Sequence, residues 1–194
     1  MPRTANPRGA GVRLRDELLD AATRLLDTGG RDAALTLRGV AREAGVAAPS
    51  VYPHFADLDA LVLALVRRHL ADLTTVVRTA VAASSGPVEA LGNAARAYVR
   101  WGLERPGPYI VVFEGRALRQ LSRDEELALS AGEDLLADLV DLLRALPRPP
   151  ADAAIAAVAL WSGLHGVVAL RTAKPAYPWP PLNAHVDAVV AAYL

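Results

Sequence analysis

Cysteine is absent from the 194 residues. That excludes a disulfide framework and any zinc site built on thiolates, and it fits a reducing cytoplasm. An excess of one charge is absent too. The 21 basic and 21 acidic residues cancel, so attraction to nucleic acid would have to come from where the charges lie and not from their sum. Aromatic residues are scarce, at 5%, which makes their clustering in one part of the chain informative. No stretch alternates apolar and polar residues as a half-buried strand does, and no internal repeat is evident. Residues 1–8 (Met-Pro-Arg-Thr-Ala-Asn-Pro-Arg) contain no apolar h-region, so no signal peptide is expected. Catalytic patterns are missing as well: there is no Gly-rich phosphate loop after a strand, no nucleophile elbow and no close Ser-His-Asp set. The four His are far apart, and none has a carboxylate at ligand spacing. The expectation is a protein that is not an enzyme, with no catalytic residue, no cofactor and no metal.

What is present is helical. Apolar residues make up 53% of the chain, enough for a large core in one body or two small ones. Three- and four-residue apolar spacing predicts helices near 14–28, 37–44, 48–55, 58–83, 88–104, 124–146, 151–172 and 182–193, with a short apolar turn or helix at 109–113. Gly29-Gly30, Ser84-Ser85-Gly86-Pro87, Arg105-Pro106-Gly107-Pro108 and Pro147 to Pro150 break the pattern. The class is all-α. Arg3, Arg8, Arg13 and Arg15 precede the first acid, Asp16. Residues 1–12 therefore read either as a basic arm for phosphate or minor-groove contacts, or as a disordered, solvated tail.

The stretch from Thr36 to Phe55 carries the most information. Thr36 is placed to cap a helix, and Leu37, Val40, Ala41 and Ala44 form its buried face. Gly45 follows where a left-handed residue ends a helix cheaply. A second helix starts near Ala48, with Pro49 in its first turn, where a missing N–H costs nothing. Two short helices joined by a Gly-containing turn form a helix-turn-helix, an N-terminal DNA-binding unit whose second helix enters the major groove.

The run Gly45-Val46, Val51-Tyr52-x-His54-Phe55 and Asp59-Ala60-Leu61 resembles the DNA-binding domain of TetR-type regulators, and Thr36-x-Arg38-x-Val40-Ala41 fits the same pattern. The resemblance implies a division into a DNA-binding domain over 13–57 and a C-terminal helical domain over 58–194 that binds a ligand and dimerises. The side chains that would meet double-stranded operator DNA are Thr36, Arg38, Ala47, Ala48, Pro49, Ser50, Tyr52, Pro53 and His54. Ala48 and Pro49 can touch a thymine methyl, Ser50 a base or phosphate, and Arg38 a guanine edge or phosphate. Tyr52 either donates to a phosphate or packs between helices, and His54 either does the same or is simply a surface residue. Ala47 and Pro49 serve either contact or structure. Three positions depart from the family pattern. Ala47 stands where a capping Ser or Thr is usual, Leu58 where a phosphate-holding Lys is usual, and Pro53 removes a hydrogen bond to the carbonyl of Pro49.

The C-terminal part also resembles one subtype of that family, through Trp161-Ser-Gly-Leu-His165-Gly166 and the corner Arg105-Pro-Gly-Pro-Tyr109. Most of the aromatics fall here. Tyr98, Trp101, Tyr109, Phe113 and Trp161, with His165 as a polar anchor, are the candidate lining of a small-molecule effector site. Trp161 and His165 read equally well as core. Ala153 to Leu170 has no charged residue and is nearly long enough to span a membrane. Its Ser162, His165 and glycines, and the lack of an aromatic belt, favour a buried helix instead. One small domain cannot cover every side of it, so a homodimer through Gly163, Gly166, Val167, Leu170, Val186 and Val190 is expected, as in the family's four-helix contact. The whole reads as a cytoplasmic, ligand-responsive transcriptional regulator, a repressor released from its operator by a small apolar molecule. The competing reading is a helical interaction module or an all-α enzyme without DNA binding.

Overall fold

The computed structural model describes residues 10–29, 35–113 and 130–194. Among them every regular element is helical, as the spacing predicts. The helices are α1 (Ala10–Gly29), α2 (Leu37–Glu43), α3 (Leu58–Ala82), α4 (Pro87–Glu104), α5 (Pro106–Phe113), α6 (Ser130–Arg144), α7 (Ala153–Ala173) and α8 (Leu182–Ala191), with a single 3-10 turn at Ala48–Ser50. Residues 1–9 of the predicted 1–12 arm and the predicted helical start at 124–129 lie outside the described residues, while residues 10–12 of that arm form the start of α1.

Two compact units divide the chain: residues 1–68 with 106–121, and residues 69–105 with 122–194. Helix α3 runs through both. In the first unit α1 packs on α2 and on α5. Leu18, Val40, Val51, Leu61 and Leu65 are wholly buried there. The close fit of α5 on α1 depends on Gly107. A Cβ at that position would lie 2.6 Å from Oδ1 of Asp27 and 2.7 Å from both the Asp27 nitrogen and the Leu26 carbonyl carbon. The resemblance implies that the segment after α4 belongs to the C-terminal domain; by its contacts it groups with residues 1–68.

In the second unit α4 packs against α6, α7 and α8. Its small residues Ala90, Ala94 and Ala95 let it approach closely, and Leu91 and Val99 fill the space between. Asp152 caps α7, accepting from the amides of Ala154 and Ile155 at 3.0 Å each. Helix α7 buries one face, Ala156, Ala157, Leu160, Leu164, Val167 and Val168. Its opposite face is open, with Ile155 68% and Leu170 53% exposed. The apolar helix is thus buried on one side only within its own chain.

Candidate DNA interface and sensor residues

The reading head is built as the local sequence dictates. Thr36 is extended, and its hydroxyl accepts from the Gly39 amide at 3.0 Å, closing the start of α2. Gly45 has φ +70°, a conformation open to glycine at little cost. It turns the chain so that Val46 donates to the Ala41 carbonyl at 2.9 Å.

Past that turn the structure differs from the expected helix over 48–55. Ser50 bonds back to Ala47, Val51 to Ala48 and His54 to Val51, all three-residue steps at 2.9, 3.2 and 2.9 Å. Only Phe55, bonding to Val51 at 3.0 Å, makes a four-residue step. The cause is Pro53, which has no N–H for the Pro49 carbonyl and whose ring crowds that carbonyl. The reading element is a tight 3-10 turn followed by further turns. Ala47 makes no side-chain cap, in keeping with its methyl side chain.

Val51 and Phe55 point inward and are buried, and the Arg15 guanidinium lies 5.2 Å from the centre of the Phe55 ring. Ala47, Pro49, Tyr52 and Pro53 are exposed, while Ala48, Ser50 and His54 are half-buried. Tyr52 is 54% exposed, so it does not pack between helices. The exposed surface of the turn is therefore small and apolar, with Tyr52 as its largest side chain.

The charges around it are sorted. Arg13 pairs with Glu17, Arg24 with Glu43 and Arg68 with Asp20. Among the described residues, Arg38 and Arg42 are exposed on α2 without a carboxylate partner. They are four apart and so share one face of that helix. Arg42 was not singled out from sequence, although the same spacing was there to read. Cations left unpaired beside an exposed turn can meet phosphate or base edges.

The sensor candidates fall into separate groups. In the second unit the Trp161 indole N–H donates to the Tyr98 hydroxyl at 3.1 Å, and His165 stands edge-on to Trp161 with centroids 6.3 Å apart. Trp101 is 3% exposed, and its N–H donates to Oδ2 of Asp72 at 2.7 Å. Tyr109 and Phe113 lie in the first unit, with their rings 4.8 Å apart. Among the described residues no group of three or more His, Asp or Glu could hold a metal.

The dimer candidates divide too. Val167, Val186 and Val190 are buried inside their own unit. A Cβ on Gly163 would meet Val189 Cγ1 at 3.0 Å, so its smallness serves α8 of the same chain. Gly166 faces open space and Leu170 is exposed.

An all-α chain with a capped helix, a glycine turn and an exposed reading element is a helix-turn-helix protein, carrying its own C-terminal helical bundle. Comparison with known proteins agrees. Residues 18–65 match the family of bacterial regulatory proteins of the tetR type, and residues 91–193 match the tetracyclin repressor-like C-terminal domain. The chain belongs to the TetR family. It is 28% identical over 157 residues to an uncharacterized HTH-type transcriptional regulator of Mycobacterium tuberculosis, covering 81% of this chain and 69% of the relative. A structure of a protein of unknown function from Rhodococcus sp. RHA1 superposes with a TM-score of 0.80 at 26% identity, covering 98% of this chain and 97% of that one. The TetR family transcriptional regulator PfmR from Thermus thermophilus gives 0.67 at 20% identity, covering 91% and 94%. The family's general function is DNA binding under the control of a ligand.

Proposed function

We propose that the chain is a cytoplasmic, homodimeric repressor that holds operator DNA and is released by a small, largely apolar molecule. In this reading residues 13–57 touch DNA, and 58–194 sense the ligand and dimerise, with a sensor of the subtype marked by Trp161, His165 and Gly166. The observation that carries it is the reading head: a small, exposed 3-10 turn flanked by Tyr52 and by the unpaired Arg38 and Arg42. Pro49 and Ala48 would meet thymine methyls, Arg38 a guanine, and Ser50, Tyr52 and His54 phosphates or bases. Thr36 and Pro53 would set the backbone at the same surface.

The dimer is supported by the open face of α7. Ile155, Ala159, Ser162, Gly166, Ala169 and Ala173 recur at steps of four and three residues along it, the spacing of a two-helix seam. Most are small, so two copies of α7 can approach closely, with Leu170 at the edge. Val167, Val186 and Val190 then act from behind, as the core on which that face rests. Within the second unit the effector would lie against Tyr98, Trp101, Trp161 and His165.

A gel shift with genomic fragments tests the reading. Retarded bands that survive competitor DNA and weaken steeply with salt are expected. No retardation even at low salt would instead favour an interaction module.

A further inference from the structure

The chain crosses between its two units twice within the described residues: inside α3, between Arg68 and His69, and again between Arg105 and Pro106. One side chain in the second unit lies beside the first crossing and touches the residue at the second. Asp72 lies one turn after the first. Its Oδ2 accepts from the Trp101 indole N–H at 2.7 Å and from the guanidinium of Arg105, the last residue before the second crossing. Arg105 also lies over the Trp101 ring, 6.0 Å from its centre, and its own amide closes α4 on the Trp101 carbonyl at 3.1 Å. We propose that Asp72 is a positioning residue: by holding Trp101 and Arg105 it fixes where the chain leaves α4, and so how α5 is delivered to α1.

Trp101 is buried, so its N–H requires an acceptor, and Asp72 is that acceptor. One carboxylate oxygen shared by an indole and a guanidinium is a charge-assisted arrangement with little rotational freedom. The residue that follows Arg105 is Pro106, whose ring fixes φ and transmits direction stiffly. Beyond it, Gly107 is pressed on the backbone of Leu26 and Asp27, with no space for any side chain. On the first-unit side of the other crossing, Arg68 is bonded to Asp20, also on α1. Asp20 thus holds Arg68 within the first unit, and Asp72 holds Arg105 within the second. A ligand that disturbs Trp101 would loosen the hold on Arg105. This deepens the sensor reading above and rests on it for its purpose, but the clamp can be tested without DNA or effector.

The test is amide hydrogen exchange on the full chain, comparing the wild type with Asp72→Ala and Asp72→Asn. Asp72→Ala is expected to speed exchange of the 109–113 amides by about tenfold, with the α7 amides unchanged. Asp72→Asn, which keeps an acceptor for the indole but not the charge, is expected to give a smaller rise. Unchanged exchange at 109–113 in Asp72→Ala would overturn the proposal. So would equal acceleration in α5 and α7, which is a general loss of stability. Either failure leaves the regulator reading standing, because that reading is judged by DNA binding alone.

Discussion

The indole N–H of Trp161 on α7 donates to the hydroxyl of Tyr98 on α4 at 3.1 Å. Trp161 is 37% exposed and Tyr98 only 5%. One hydrogen bond thus leads from the partly exposed Trp161 into the interior of the second unit. A molecule that takes over the Tyr98 hydroxyl changes how Trp161 sits. Tyr98→Phe should therefore leave the fold almost unharmed, since the half-exposed indole can turn to water; the cost expected in urea unfolding is below about 1 kcal/mol. The same variant should lose most of its release from DNA by whichever compound, in a screen of small apolar molecules, frees the wild type. Normal release would remove Tyr98 from the sensor.

The reading head predicts two kinds of loss. Arg38→Ala should cost about 1–3 kcal/mol and relax preference at one base pair, if Arg38 reads a guanine. Arg42→Ala and Tyr52→Ala should weaken all sequences alike, with Arg42→Ala lowering the salt slope by about one. Fluorescence anisotropy at several salt concentrations separates these patterns, and wild-type affinity in all three variants would place the interface elsewhere.

Two glycines should be intolerant for different reasons. Gly107→Ala drives a methyl into the backbone of Leu26 and Asp27 and should cost about 1–3 kcal/mol. Gly45→Ala meets no neighbour but must hold φ +70°, which should cost about 1–2 kcal/mol. Denaturant midpoints report both, and a neutral Gly107→Ala would mean that α5 and α1 can part freely.

The dimer seam predicts a contrast between glycines one turn apart. Gly166→Arg points into open space and should fold normally yet sediment as a monomer. Gly163→Arg runs into Val189 of its own chain and should lose thermal stability as well. Stable dimers of Gly166→Arg would move the interface off this face.

Much of the reading head was legible because its signals are local. Thr36 and Gly45 each act within four residues, and the structure bears out both the cap and the turn. Pro53 was legible as a missing hydrogen bond. That this loss leaves only a 3-10 turn at Ala48–Ser50 followed by turns, in place of a helix over 48–55, is not legible from spacing alone. The sensor was harder. Apolar spacing marks that Val167, Val186 and Val190 are buried, but not whether their own chain or a second one buries them. Trp101 reads as one aromatic among five; its partner Asp72 is 29 residues away, and no periodicity links them. The placement of α5 depends on Gly107 fitting the end of α1, again a contact distant in sequence.

A two-fold dimer that reads DNA through the turn at Ala48–Ser50 is checked by selecting bound duplexes from a random-sequence library and sequencing them. An inverted-repeat consensus is expected, with half-sites about one helical turn apart, roughly 34–36 Å, or a multiple of that. Arg38→Ala should relax one base pair in each half. Enrichment of no sequence, or of a single unrepeated site bound by monomers, would contradict it.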